Sequence, residues 1–436
     1  MKSQFITIIM LAFLTYAQTW NIETVDSGGV GGSSSLALDS SDYPHISYHD
    51  FGGGLKYAFW NGSSWEIETV DSTNVVGINT SLVLDSSDYP HISYHDFSDY
   101  DLKYAFWNGS SWEIEIVDSA GHAGFYSSLA LDSSEYPHIS YSDDSNDDLK
   151  YTFWNGSSWV IDTVDSIANV GSHVSLALDS SDYPHISYHS TSHLAYACWN
   201  GSSWDIEIVD DGYWVGSCTS LALDSSDYPH ISYLDYLEDQ EDLKYAFWNG
   251  SSWEIARISS SASDGWFTSL ALDSSDCPHI SYYDYTNDRL KYAFWNGSSW
   301  DRETVDSAGW GDISLVLDSS DYPHITYLDI TGSNLMYASL TETGIEGGSD
   351  YPLALLPITP NPTFGIFSVN FSIPESANIS LNIYNMSGRL VRQSTTTAYA
   401  SGLHQISFSG LETGVYLCRM RSGDFTETQQ FVVLNN

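Results

Sequence analysis

The chain has 436 residues, 57 of them acidic and only 13 basic, for a formal charge of −44. An acidic excess of this size excludes recognition of nucleic acid phosphates or anionic membranes, which needs clustered Lys and Arg; it favours solubility and draws cations. The length exceeds an ordinary single domain unless repeats extend it, and four cysteines (Cys198, Cys218, Cys277, Cys418) are too few and too scattered for a disulfide framework. A Cys198–Cys218 bridge has no spacing rule behind it.

The first segment, residues 1–17, places Lys2 ahead of an apolar run from Phe5 to Leu14, followed by Thr15 and Ala17. That is the layout of a secretory signal peptide, cleaved after Ala17. Its apolar run is well short of the ~20 residues a spanning helix needs. No later stretch is long and apolar enough either, so the mature chain is expected to be extracellular, without a transmembrane segment, and monomeric.

From Trp20 onward the chain repeats. The hexapeptide WNGSSW occurs at 60–65, 107–112, 154–159, 199–204, 248–253 and 295–300, and Trp20, Trp65, Trp112, Trp159, Trp204, Trp253 and Trp300 stand 45 to 49 residues apart. Such a period matches the blades of a β-propeller, each a four-stranded antiparallel sheet. One repeat contains four β-rich runs, SLALD, PHISY, LKYAFW and SWEIETV, separated by Asp, Ser, Gly and Asn. Asn61-Gly62 reads as a two-residue type I′ hairpin, which places Trp60 opposite Ser63 and Ala58 opposite Trp65. Leu55, Tyr57 and Phe59 then line the other face, and bulk on both faces suits a sheet packed between two neighbours.

Seven SLALD–PHISY units occur but only six WNGSSW turns. The last unit stops at LMYASL (335–340), a third strand without a fourth, and the repeats begin with WNIETVD (20–26), a fourth strand without a third. Ring closure resolves both. The expected fold is all-β: a seven-bladed β-propeller over 18–341, its N-terminal strand closing the last blade, then a linker over 342–356 and a small Ig-like β-sandwich over 357–436.

That terminal region carries TPNPTFGIF (359–367), ISLNIYNMSGRLVR (379–392) and SGLETGVYLCRM (409–420). On these motifs it resembles the C-terminal sorting domain of the type IX (Por) secretion system. The resemblance implies export across the outer membrane by that machinery, then surface attachment or release. The repeats loosely resemble sialidase-type Asp-box propellers and fucose-lectin propellers, chiefly in the Trp-ended hairpin turn.

Three sets of residues are candidates for function. His45, His91, His138, His185, His230, His279 and His324 follow the repeated proline. Facing a central channel they would form a metal or anion site, but seven equivalent positions favour a buried structural imidazole, bonded to the serine two residues on. A second histidine recurs only at His49, His95 and His189. The acidic loops after the second strand (Asp143, Asp144, Asp147 and Asp148; Glu238, Asp239, Glu241 and Asp242) hold the right ligands for weak Ca²⁺ binding, yet none has the D-x-D-x-D-G pattern, and solvated turns are the plainer account; no cofactor is expected. Trp60, Trp107, Trp154, Trp199, Trp248 and Trp295 precede the hairpin turn near a rim between blades. Indoles there would stack on sugar rings, or else pack the blades together; Leu340 takes this place in the seventh unit.

Sialidases clamp a carboxylate with three converging arginines and fungal-type fucose lectins use an arginine per site, whereas the repeats hold only Arg257, Arg289 and Arg302 in all. Near-identical blades also argue against one specialised centre. The expectation is therefore a secreted, surface-displayed, non-enzymatic propeller that binds glycans or a protein partner at repeated shallow sites. A polysaccharide-acting, sialidase-like enzyme and a purely structural surface protein stand as alternatives.

Overall fold

A computed structural model of the chain describes residues 19–436 except 74, 168–169, 238–239, 260–262, 330–332, 342–352, 357, 359–365, 374–375, 395–396, 400–401, 424 and 435–436. The expected signal peptide and most of the expected linker lie outside the described residues, as do Glu238 and Asp239. All regular structure among the described residues is β. It falls into two compact units, one spanning Trp20–Thr341 and one containing Glu342–Asn436.

The first unit consists of four-stranded antiparallel sheets that resemble propeller blades. Sheet 1 runs Val30–Leu38, Pro44–Asp50, Gly54–Trp60 and Trp65–Asp71, paired in chain order, and sheets 2 to 6 repeat it. Sheet 7 takes three strands from the end of the unit, Gly309–Leu317, Pro323–Asp329 and Asn334–Thr341; its fourth is the N-terminal Thr19–Asp26, paired with Asn334–Thr341. The first strand of each sheet contacts that of the next, and sheet 7 in turn contacts sheet 1.

Burial grades across each sheet. The second strand, PHISY, is buried on both faces, with Ile46 and Tyr48 fully inaccessible, whereas most of the fourth strand faces outward. The DSSDYP connection between the first two strands is shaped by Asp39. Its Oδ1 accepts the Ser41 and Tyr43 amides, both at 2.8 Å, and Asp42 takes a left-handed φ of 62°, which short polar side chains tolerate. The same loop reaches the neighbouring sheet, because Ser40 N and Oγ donate to Asp88 at 2.9 and 2.7 Å. The contact recurs at five other junctions, including Ser319 of sheet 7 onto Asp42 of sheet 1 at 3.0 and 2.6 Å, while between sheets 2 and 3 the Ser86 amide donates to Glu135 at 3.1 Å.

The WNGSSW turn differs from the expected type I′ hairpin. It is a four-residue loop, Asn61–Ser64, in which the Asn61 amide donates to the Ser64 carbonyl at 3.1 Å and the Asn61 Oδ1 accepts the Ser63 and Ser64 amides at 2.9 and 3.0 Å. Only Gly62 is left-handed, at 90°. The Asn side chain thus replaces a backbone acceptor and widens the loop. The register moves with it: Trp60 stands opposite Trp65, and Ala58 opposite Ile67.

Behind the second strands lies a buried polar layer. Asp71, closing the last strand of sheet 1, accepts Tyr94 Oη of sheet 2 at 2.9 Å and lies 3.4 Å from Lys103 Nζ, which reaches Asp96 at 2.7 Å. Asp118 with Tyr141 and Lys150, and Asp210 with Tyr233 and Lys244, repeat it. Burial alone would raise the Asp71 pKa, but hydrogen bonds from Thr73 and Tyr94 and the Lys103 charge together hold it below the ordinary value.

The second unit forms two sheets. One pairs Ala354–Leu355, Ile366–Ile373 and Gly402–Ser409; the other pairs Leu390–Gln393, Ala377–Asn385, Gly414–Ser422 and Phe425–Val433, with Thr397–Tyr399 also on Ala377–Asn385. Phe367, Val369, Phe371, Leu381, Ile383, Met420 and Phe431 form its core. Cys418 is buried there, and all four cysteines are free thiols.

Two outcomes follow from the junctions. Asp71→Ala should lower stability by about 3 kcal/mol at pH 7, since it strands Tyr94 and part of the Lys103 charge, measured by urea unfolding. Because the folded pKa is lowered, the contribution of Asp71 is complete above the unfolded value of about 3.9 and fades as pH falls through the lower folded one, so parent and variant should converge in acid. Deleting residues 20–26 should cost upwards of about 4 kcal/mol, with partial recovery when the missing strand is added as a peptide; an unchanged melting temperature would contradict the pairing.

Candidate functional site

At three junctions between successive sheets of the first unit lies a cavity of common design. At the junction of sheets 1 and 2 it encloses about 220 Å³ and is lined by His45, Tyr57, Phe59 and Glu68 from one sheet and by Asp88, Tyr89, Pro90, Trp107 and Trp112 from the next. An equivalent cavity of about 230 Å³ lies between sheets 2 and 3, and one of about 370 Å³ between sheets 3 and 4.

Three contacts build it. First, His45 ties the second strand to the third: its Nδ1 bonds the Tyr57 hydroxyl, its ring stacks on Phe59 with centroids 5.9 Å apart, and its Nε2 lies 3.6 Å from Asp39. Burial lowers the His45 pKa against the pull of Asp39, and burial raises that of Tyr57 far above the phenol value. With Asp39 beside Nε2, the neutral tautomer that fits this geometry carries its proton there and accepts the Tyr57 hydroxyl at Nδ1. Second, Trp112 meets Tyr57 of the preceding sheet edge-on, with centroids 5.3 Å apart. Third, the Trp112 Nε1–H donates to Glu68 of that sheet at 3.0 Å. The cavity so framed has aromatic walls, a carboxylate and a neutral imidazole, a set suited to a small ring with one apolar face and a hydroxylated edge.

The residues singled out from the sequence fall as follows. Trp60, Trp107, Trp154, Trp199, Trp248 and Trp295 are half-buried, each edge-on to the tryptophan after its turn with centroids 5.6 to 5.8 Å apart; Trp107, Trp154 and Trp199 line cavities. Leu340 is buried. The seven repeated histidines (His45, His91, His138, His185, His230, His279 and His324) each bond a tyrosine of the third strand. The serine two residues on is not their partner: Ser47 bonds Thr80 of the next sheet at 2.8 Å. His49 and His95 reach the Val76 and Ala123 carbonyls at 2.8 Å, and His189 lies 3.3 Å from Ser172 Oγ.

In the acidic loops Asp143 is engaged by Lys150, Asn146 and the Ser145 amide, Asp144 accepts Ser142 Oγ, Glu241 accepts Trp266 Nε1 and Asp242 pairs with Arg257. Among the described residues no group of three or more His, Cys, Asp or Glu is placed to hold a metal. Arg302 donates to the Ile258 carbonyl at 2.8 Å. The sequence reading missed Tyr57, Glu68 and Trp112 as site-builders because their contacts cross between sheets; the recurrence of Glu in WEIE was the available signal.

A second cavity, of about 280 Å³, is lined by the first strands of all seven sheets. One position per strand contributes Ser33, Asn79, Tyr126, His173, Cys218, Phe267 and Asp312, a different residue each time. All but Asp312 have φ between 49° and 52°. Burial lowers the His173 pKa to about 4, pushes Cys218 up to about 12 and raises Asp312. The repeats thus lose their equivalence at this ring, against the near-identity on which the expectation of no specialised centre rested.

No curated protein sequence matches the chain. Among solved structures, an ulvan lyase of polysaccharide lyase family PL25 superimposes with a TM-score of 0.56 at 12% identity, covering 73% of this chain and 95% of that one. The β-propeller domain of Cps50 (Swd1) from Myceliophteria thermophila gives 0.50 at 11%, covering 74% and 100%, and the lectin of Aleuria aurantia gives 0.44 at 17%, covering 66% and 100%. The first two support a shared propeller-like fold. The family description that matches is the secretion system C-terminal sorting domain, over residues 357–434. Sheets resembling propeller blades are therefore carried on a chain that ends in a secretion system C-terminal sorting domain.

Proposed function

We propose that the protein is a secreted, surface-displayed, seven-bladed propeller that binds glycans through the cavities between its blades, and that its sorting domain is an Ig-like sandwich. The observation that carries the reading is the recurring cavity itself, in which tryptophan, tyrosine and phenylalanine faces are set beside a carboxylate and a neutral histidine. Aromatic faces cover the C–H face of a sugar, while carboxylates and imidazole bond its hydroxyls. Equivalent weak sites on one rigid disc gain avidity against a repetitive target such as a surface polysaccharide. Export to the cell surface or beyond, implied by the sorting domain, places the sites where such targets are.

An arginine-clamped sialidase chemistry finds no support in the arginines, since Arg257 is engaged by Asp242 and Arg302 by a backbone carbonyl. A polysaccharide-acting enzyme of another kind has one observation in its favour, the ring of seven differing residues at the first strands. Turnover of a polysaccharide substrate would establish it.

The test is a glycan array probed with the full chain, with and without Ca²⁺. Trp107→Ala, Trp154→Ala and Trp199→Ala combined should weaken binding at least tenfold on multivalent surfaces, at about 1 kcal/mol lost per aromatic contact, with the fold checked by thermal unfolding. Silence on every glycan, or a triple variant that binds as the parent does, removes the glycan reading and leaves a protein partner.

A further inference from the structure

We infer that the cavity between sheets 3 and 4 is specialised among its equivalents, and that it takes a neutral N-acetylated hexosamine. The inference rests on the glycan reading above and adds a selectivity to one site. At five of the seven junctions the indole N–H of the fourth-strand tryptophan is satisfied by a glutamate of the preceding sheet: Trp20 with Glu303 at 3.1 Å, Trp65 with Glu23 at 3.3 Å, Trp112 with Glu68 at 3.0 Å, Trp159 with Glu115 at 2.9 Å and Trp253 with Glu207 at 2.9 Å. Sheet 3 departs from the pattern. Its fourth strand reads WVIDTVD, so that Asp162 stands where Glu68 stands in sheet 1, and Val160 stands where Glu66 does.

Both changes bear on one cavity, since Val160, Asp162 and Trp204 all line it. A carboxylate one methylene shorter no longer meets the indole, and Trp204 Nε1 is the one tryptophan nitrogen, among the described residues, that is buried without a partner. At the junction where Ala256 takes the glutamate position, the Trp300 nitrogen is not of this kind. The receding acid enlarges the space to about 370 Å³, against about 220 and 230 Å³ in the equivalent cavities. Loss of the second acid also frees Asn155: its counterparts Asn61, Asn108, Asn200, Asn249 and Asn296 donate to an acid at 2.9 to 3.0 Å, whereas Asn155 Nδ2 has Ser158 Oγ at 3.5 Å.

An unpartnered buried donor calls for an acceptor from the ligand. Trp204 shares the lining of the enlarged cavity with the apolar Val160, Phe153 and Pro184. An acetamido group offers both complements at once, a carbonyl for the indole N–H and a methyl for the apolar wall. Acidic sugars are disfavoured, because Asp162 and Asp182 share the lining and the whole chain repels anions.

The experiment uses the full chain labelled with 5-fluorotryptophan and followed by ¹⁹F NMR, Trp204→Phe assigning the resonance. Methyl N-acetyl-β-glucosaminide should shift the Trp204 signal and saturate at one equivalent, while methyl β-glucoside at the same concentration should not. Asp162→Glu rebuilds the bond found at the other junctions and should weaken binding at least tenfold, with Val160→Glu acting in the same direction and thermal unfolding showing that both variants fold. Equal affinity in Asp162→Glu, simultaneous shifts of several tryptophans, or array glycans that bind while the N-acetylated probe does not would overturn the selectivity and leave the glycan reading standing. No saccharide binding of any kind would overturn both.

Discussion

Neighbouring sheets are joined by carboxylates that accept mainly from uncharged donors. Asp26 accepts the Tyr48 hydroxyl, Asp88 the backbone and hydroxyl of Ser40, and Glu23 the indole of Trp65, each across a sheet boundary. A chain with 57 acids and 13 bases has too few cations to pair its acids, so few buried acids have one: lysines such as Lys103 and Lys150 are each shared by two aspartates, and Arg257 takes Asp242. Tyrosine, serine and tryptophan supply the rest. Hydrogen bonds to a carboxylate are stronger than neutral ones, so the junctions hold together without a cation at each acid. The cavities between the sheets are gaps in this same scheme.

Much of the architecture is readable from single residues. An unpaired Trp20 ahead of the repeats, and a last unit ending at Leu340 without its turn, suffice to place Thr19–Asp26 beside Asn334–Thr341. The central strand is legible in PHISY because proline marks its edge and the alternation is clean. The hairpin departs from its sequence signal for a local reason: Asn-Gly signals a two-residue turn when both residues are left-handed, but here the Asn61 side chain bonds two amides ahead and only Gly62 turns left.

The site was less legible than the fold. Its geometry depends on pairs such as Trp112 with Tyr57 and Glu68, which lie on different sheets with nothing in the local spacing to join them. The histidines illustrate the difference between pattern and partner. Their recurrence was plain, yet the choice of Tyr57 over Ser47 is decided by which side chains share a face once the register is set. The ring of Ser33 to Asp312 was invisible for another reason, since a position that never repeats leaves no periodic signal.

The seventh sheet joins the earliest-made strand of the repeats to the latest. Thr19–Asp26 has no partner until Asn334–Thr341 exists, so the seventh sheet stays incomplete through nearly the whole of synthesis, with an unpaired strand at one end. Closing so long a loop is entropically costly and slow, though the cost grows only logarithmically with length. The pairing that completes the seventh sheet is the last to become possible, so every other sheet can form before its clasp arrives.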